Sequence, residues 1–178
     1  MKKRKWWLST LATALLIIIG IGGKQYMDKK AIEKDYQQGI GLIQKYVSNY
    51  LVENYEGIEK IEWQGVGVEW RNAKGYGPSL LGNYVKSEVR IFVSKTEYFT
   101  IRHNLTKGVT YDNDLQKYVL KESMNSKNTD KAIILGKENT IKKLGFQDIK
   151  FFEKFKKSNT GSANAKIIYN LNIYELKY

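Results

Sequence analysis

An uncharged stretch of 18 residues near the N-terminus constrains the architecture most strongly. Residues 6–23 carry no charged side chain, and they directly follow a cluster of four positive residues at 2–5. As an α-helix at about 1.5 Å per residue, this stretch would span roughly 27 Å, close to the ~30 Å hydrocarbon thickness of a bilayer. A core helix would need at least one polar face in a chain this short. The sequence therefore predicts one transmembrane helix.

The charges on either side of this helix predict its orientation. Four positive residues precede it, whereas the segment from Lys24 to Lys30 mixes positive residues with Asp28. Positive residues are retained on the cytoplasmic side of a membrane. We therefore predict that residues 1–23 form a cytoplasmic tail and a transmembrane anchor, and that residues 24–178 form a single extracytoplasmic domain at the cell membrane.

Aromatic side chains fit both surfaces of the predicted membrane span. Trp6 and Trp7 would lie at the inner headgroup level and Tyr26 near the outer one, because amphipathic aromatic rings prefer the membrane–water interface. A cleaved signal peptide is the alternative, since Gly20 and Gly22 are spaced as small residues at a cleavage site. The long apolar run and the lack of an Ala-x-Ala site favour an uncleaved signal anchor.

The chain contains no cysteine. This excludes disulfides, thiolate metal sites and a thiol nucleophile. It also excludes a lipoprotein anchor, which requires a cysteine. The extracytoplasmic domain must therefore be stabilised by its apolar core, for which the 42% of hydrophobic residues are sufficient.

Apolar residues between residues 24 and 55 recur at steps of three and four, which predicts a long amphipathic helix. We interpret its apolar face as part of the core, with a partner-binding helix as the alternative. The residues of this stripe are Ile32, Tyr36, Ile40, Ile43, Val47 and Leu51.

Alternating apolar residues after this helix predict β-strands. Ile61 and Trp63 alternate in one phase and Val66 and Val68 in the other, which predicts a β-bulge at Gly65. Further strands are predicted at 85–93 and 99–105, and a second hairpin at 149–155 and 165–178, whereas helical pieces are predicted around 118–120 and 132–135.

These elements predict an α+β fold, because each of them has a single apolar face to bury. The long helix would pack on a curved antiparallel sheet. By analogy alone, the order of elements fits a cystatin-like or nuclear-transport-factor-like roll.

The motifs of catalysis are missing from the sequence. His103 is the one histidine, and it alternates with Phe99 and Ile101, which predicts a core histidine bonded to a backbone group rather than a general base. Asp112-Asn-Asp114 lacks the glycine and the distal glutamate of a calcium loop, and it is interpreted as a turn or a helix cap. We predict no enzyme activity, no cofactor and no metal ion.

A glycine-rich loop at 72–81 is the best candidate for binding a partner. Glycines on either side of a tyrosine let its ring project, and exposed loop aromatics often anchor protein contacts. A plain connection between strands is the alternative. The candidate residues are Lys74, Tyr76, Leu80, Leu81 and Tyr84.

The net charge narrows the class of partner. The chain has a formal charge of +12, and residues 24–178 alone carry 26 positive and 18 negative side chains, a net of +8. Such a surface is attracted to the anionic lipids of a bilayer or to anionic polymers of the envelope. Nucleic acid is not a predicted partner, because arginine is scarce and the domain is predicted to lie outside the cell.

The chain also resembles a family in its layout. The features that carry this likeness are the opening from Lys2 to Lys30, the segment from Asn54 to Val68 and the ending from Gly161 to Glu175. Together they look like the small N-terminally anchored surface proteins of low-GC Gram-positive bacteria, which are mostly of unknown function. The resemblance covers the whole chain and implies a location, but it supplies no active site.

Location and composition together predict a membrane-tethered extracytoplasmic binding protein. Its expected partner is a protein or an anionic envelope polymer, and an immunity protein that neutralises a toxin is one form of this function. The alternative is a structural subunit of an envelope-spanning secretion or conjugation machine.

Overall fold

The structure is a computed structural model that describes residues 2–71 and 82–177. Within these ranges it describes all side chains except those of residues 2–27, 146 and 147. Two compact units can be distinguished, Met1–Asp35 and Tyr36–Tyr178.

The chain combines helices with runs of consecutive strands in an α+β arrangement, which confirms the predicted class. In chain order the elements are α1 (Lys2–Asn54), β1 (Tyr55–Glu56), β2 (Lys60–Trp63), β3 (Val66–Glu69), β4 (Tyr84–Phe92), β5 (Tyr98–Asn104), α2 (Leu105–Gly108), β6 (Val109–Asp112), β7 (Lys117–Leu120), α3 (Ser126–Ile141), α4 (Phe146–Glu153), β8 (Lys156–Lys157), β9 (Lys166–Ile168) and β10 (Ile173–Glu175).

The main sheet is built around β4. Strand β5 pairs antiparallel with one side of β4, and β2 and β3 pair antiparallel with the two halves of its other side. Strands β9 and β10 then pair in parallel with β2 and β3. The sheet is therefore mixed, and the prediction of a purely antiparallel sheet is wrong.

The prediction of a hairpin between 149–155 and 165–178 is also wrong, because the first of its two predicted strands is mostly a helix. Phe146–Glu153 is a helix, α4, which buries Phe152 at 1% exposure. Strand β8, which precedes β9, pairs with β1 outside the main sheet. The chain therefore returns to the main sheet after a crossover, and β9 enters beside β2 in parallel, as crossover connections permit.

The predicted bulge at Gly65 is confirmed. Gly65 has a φ of +90°, a left-handed conformation that glycine adopts without strain. The Ser87 hydroxyl donates to the Gly65 carbonyl at 2.7 Å, and the Gln64 amide donates to the Glu88 carbonyl at 2.9 Å. The bulge divides one long strand into β2 and β3 and shifts the phase of the buried residues between them.

The apolar stripe of α1 forms part of the core, as predicted. Ile40, Ile43, Val47 and Leu51 are each 0% exposed. Fully burying side chains of this kind contributes about 1.5–3 kcal/mol each to the hydrophobic stabilisation. The unit from Tyr36 onward therefore has its own core.

A hairpin replaces the helical piece that was predicted around 118–120. Lys117–Leu120 is strand β7, which pairs antiparallel with β6. The turn between them uses Asp112, whose side chain accepts from the amides of Asp114 at 2.9 Å and Leu115 at 3.0 Å. Asp112 is thus a turn residue, one of the two roles predicted for it.

The helical piece predicted at 132–135 is confirmed as the middle of α3. Its N-cap is Asn125, whose side chain accepts from the Asn128 amide at 3.0 Å. Gly136 lets α3 approach β5 closely, because a Cβ at this position would lie 2.9 Å from the Thr100 carbonyl oxygen. This contact fixes α3 beside the sheet.

No helix in the residues whose side chains are described is both long enough and apolar enough to span a membrane. The structure does not describe the side chains of residues 6–23, which the sequence predicts as the anchor. The predicted interface residues Trp6, Trp7 and Tyr26 also lie among the residues whose side chains are not described. The transmembrane helix therefore stays a prediction.

Candidate functional site

A mostly apolar pocket of about 460 Å³ opens between α3 and the paired strands β1 and β8. We call it the α3 pocket. Its volume lies within the range of about 300–1,000 Å³ that is usual for small-molecule sites. The pocket is lined by Tyr55, Asp130, Ile133, Ile134, Lys137, Glu138, Ile141, Phe155, Lys156 and Lys157.

One face of α3 supplies the upper wall of the pocket. Asp130, Ile134, Lys137 and Ile141 follow one another at steps of three and four, so they lie along one side of the helix. Ile133 faces the core at 0% exposure, whereas Ile134 is 51% exposed at the pocket. Helix α3 therefore presents apolar side chains both to the core and to the pocket.

Two stacked aromatic rings form the floor. The rings of Tyr55 and Phe155 lie 5.0 Å apart at an interplanar angle of 8°. Phe155 also contacts Phe99 edge to face at 4.9 Å. Both floor residues are buried, at 4% and 3% exposure, so the floor is formed by rings that the core holds in place.

A carboxylate fixes Tyr55 from the side of α3. The Tyr50 and Tyr55 hydroxyls each donate to Asp130 Oδ1 at 2.7 Å, and the Lys157 ammonium donates to Asp130 Oδ2. Burial opposes ionisation of Asp130, but the hydrogen bonds from Lys157 and the two tyrosines outweigh it, so the pKa of Asp130 lies below its usual value. Asp130 is therefore a carboxylate that ties α1, β1, α3 and β8 together.

The two tyrosines remain protonated donors in this network. Burial raises the pKa of Tyr55, and the hydrogen bond to the Asp130 carboxylate raises it further. The same two causes raise the pKa of Tyr50. Both hydroxyls consequently keep their protons far above neutral pH and continue to donate to Asp130.

Lys137 differs from the other lysines of the pocket. Its Nζ donates to the Phe155 carbonyl oxygen at 2.8 Å and lies 5.4 Å from the centroid of the Phe155 ring. Burial lowers the pKa of Lys137. Lys156 pairs with Glu56 at 3.1 Å, and Lys157 pairs with Asp130, but Lys137 forms no ion pair with any described residue.

The arrangement can bind an apolar group on the aromatic floor and a hydrogen-bond acceptor beside Lys137. Ligand sites typically have a small number of polar groups at the edge of an apolar recess, and these groups fix the orientation of the ligand. Burial of Lys137 without an acidic partner is unfavourable, and an incoming anion would offset this cost.

His103 lies away from this pocket, in the sheet. Its ring is 5.9 Å from that of Trp63, and its Nε2 is buried without a hydrogen-bond partner among the described residues. The bond to a backbone group that was predicted for the His103 ring is therefore not formed at this nitrogen. Burial lowers the pKa of His103 to about 4, which keeps its ring neutral at pH 7.

The candidate loop residues Lys74, Tyr76, Leu80 and Leu81 lie outside the described residues, so the loop stays a prediction. Tyr84 is described. It begins β4, and the Arg71 guanidinium lies 5.6 Å from the centroid of its ring, so Tyr84 belongs to the end of the sheet.

The described ends of that loop are held to α1. The Asn83 side chain accepts from the Arg71 amide at 3.0 Å and donates to the Tyr36 hydroxyl at 2.9 Å. The rings of Tyr36 and Trp70 lie 6.1 Å apart. The described residues on either side of 72–81 are therefore tied to α1 and to one another, and Tyr84 takes part through its contact with Arg71.

The α3 pocket was not predicted from the sequence. One available signal was the second set of steps in α3, from Ile134 through Lys137 to Ile141, which repeats at helical spacing beside the core residue Ile133. Nothing in the sequence indicated that Tyr55 and Phe155 would form the opposite wall.

No protein-family model, curated protein or solved structure matches the chain. Among the described side chains, no group of three or more His, Cys, Asp or Glu residues could hold a metal ion. The function is therefore inferred from the geometry of the α3 pocket and from the N-terminal sequence.

Proposed function

We propose that the protein is a membrane-tethered extracytoplasmic binding protein and that its α3 pocket receives an apolar group of the ligand. The observation that carries this proposal is the combination of an aromatic floor, made by Tyr55 and Phe155, with Lys137, which forms no ion pair among the described residues. Ile134 is 51% exposed at this recess, so its side chain offers apolar surface to a ligand.

The N-terminal sequence supports the tether. Residues 6–23 are uncharged, and the four positive residues before them favour a cytoplasmic N-terminus. The compact unit Tyr36–Tyr178 begins after this stretch, as a tethered binding domain requires. The charge of +8 on residues 24–178 would favour its approach to anionic lipids or envelope polymers.

We expect residues 24–178 to be degraded when protease is added to intact protoplasts that express the full chain with a C-terminal tag. The physical reason is the positive charge before Trp6, which holds the N-terminus inside. Immunoblotting of the tag and a cytoplasmic marker protein before and after cell lysis measures the result. The intact mass of the purified protein should include Trp6 and Trp7.

A variant with glutamine at positions 2–5 serves as the matched control, because it keeps the apolar stretch and removes the orienting charge. Part of this variant should become protease-resistant in intact protoplasts. Complete protection of the wild-type domain would contradict the proposed topology, and an N-terminus at Gly23 or Lys24 would show cleavage instead of anchoring.

A further inference from the structure

Of the three lysines that line the α3 pocket, only Lys137 has no acidic partner among the residues that the structure describes. Lys156 is paired with Glu56 at 3.1 Å, and Lys157 is paired with Asp130. Lys137 is bonded to the Phe155 carbonyl, which cannot neutralise it. Lys137 is therefore the lysine of this pocket that can pair with an anionic group of a ligand without displacing a described acidic partner.

The other carboxylates of the pocket restrict the ligand further. Asp130 is ionised and already accepts three hydrogen bonds, and Glu138 is exposed on the same face of α3. Both would repel a ligand that brings several negative charges, since like charges in one partly buried site are costly. An acidic protein surface fits this pocket less well than a monoanion does.

The remainder of the pocket is apolar. Ile133, Ile134 and Ile141 line the helix side, and the stacked rings of Tyr55 and Phe155 line the floor. Apolar surface of this kind favours the burial of ligand methylenes, because their removal from water is favourable. The main part of the ligand is thus expected to be hydrocarbon.

We propose that the α3 pocket binds a single-chain anionic amphiphile, with the monoanionic head at Lys137 Nζ and the acyl chain over Phe155 and Tyr55. This inference rests on the proposed function, because it names the ligand of the same pocket. A domain tethered to a membrane is also held where such amphiphiles are concentrated. A fatty-acid carboxylate and the phosphodiester of a single-chain phospholipid share this chemistry.

Photo-crosslinking of the full chain in its membranes tests the proposal. Three probes carry the same diazirine-bearing acyl chain and end in a carboxylate, in the phosphodiester of a single-chain phosphatidylglycerol, or in a neutral alcohol. After irradiation the tagged protein is purified, and mass spectrometry measures the labelled peptides. We expect the anionic probes to label peptides from α3 and from residues 149–157, about tenfold more than the alcohol does.

Three variants separate the role of the charge from a change in structure. Lys137→Met should reduce labelling by the anionic probes about tenfold, to the level of the alcohol probe. Lys137→Arg keeps the charge and should keep the preference. Lys131→Met removes an exposed lysine of α3 that does not line the pocket, and it should change nothing.

Labelling by the carboxylate probe alone would identify a fatty acid as the ligand, and labelling by the phosphodiester probe alone would identify a single-chain phospholipid. Equal labelling by the anionic and neutral probes, or labelling that Lys137→Met leaves unchanged, would overturn the inference. The labelling results do not test the topology of the protein. Protection of the domain from external protease would contradict the proposed function, whichever probe labels the pocket.

Discussion

Replacing Trp63 by alanine is expected to lower the free energy of unfolding by about 3–5 kcal/mol, which approaches the whole stability of some small domains. Trp63 is 1% exposed, so its removal leaves a large cavity between α1 and the sheet. The substitution also removes the donor to the Ser48 hydroxyl, which Trp63 Nε1 contacts at 2.9 Å and which is itself 0% exposed. Urea unfolding of residues 29–178, monitored by circular dichroism, measures the change.

Trp63→Phe is the matched control for this substitution. It keeps most of the buried ring but loses the hydrogen bond to Ser48, so we expect a smaller loss of about 1–3 kcal/mol. A loss below about 1 kcal/mol for Trp63→Ala would contradict the burial of this ring and would mean that the core is assembled differently.

The second large effect is expected for Asp130→Ala, which should lower the free energy of unfolding by about 2–4 kcal/mol at pH 7. The substitution leaves the hydroxyls of Tyr50 and Tyr55 without their acceptor, and Tyr55 is 4% exposed. It also removes the link between α3 and Lys157. Asp114→Ala removes an exposed carboxylate whose side chain accepts no hydrogen bond from the described residues, and it should change stability by no more than about 0.5 kcal/mol.

The effect of Asp130→Ala should depend on pH. Because the pKa of Asp130 in the folded state lies below its value in the unfolded chain, about 3.9, ionised Asp130 stabilises the fold above that pH. This contribution is lost as the pH falls through the folded pKa. The difference between wild type and Asp130→Ala should therefore be full at pH 7 and narrow below about pH 4, and a difference that grows in acid would contradict the network.

The parts of the fold that local periodicity controls could be predicted. The stripe from Ile40 to Leu51 repeats at helical spacing, and the change of phase at Gly65 marks the bulge because only a glycine takes its φ of +90° easily. Residues 149–155 could not be assigned in this way. Ile149, Phe152 and Phe155 fit a helix, but neighbouring apolar residues also fit a short strand.

The α3 pocket could not be predicted because its walls come from distant parts of the chain. Asp130 meets Tyr50 across 80 residues and Tyr55 across 75, and no local pattern specifies such a contact. The partner of Lys137 is likewise a backbone carbonyl, at Phe155, which any residue type would supply. The binding site was predicted at loop 72–81 instead, because its glycines and tyrosine can be recognised in the sequence whereas tertiary contacts cannot.

Lysine modification on intact protoplasts, with an amine reagent that does not cross membranes, tests the extracytoplasmic location and the bound amphiphile together. An anion bound at Lys137 would raise the pKa of this lysine and shield it, so Lys137 should react only after the purified full chain has been delipidated. Lys131, exposed on the same helix, should react in intact protoplasts. Equal modification of Lys137 before and after delipidation would contradict a bound amphiphile, and modification of Lys131 only after lysis would contradict an extracytoplasmic domain.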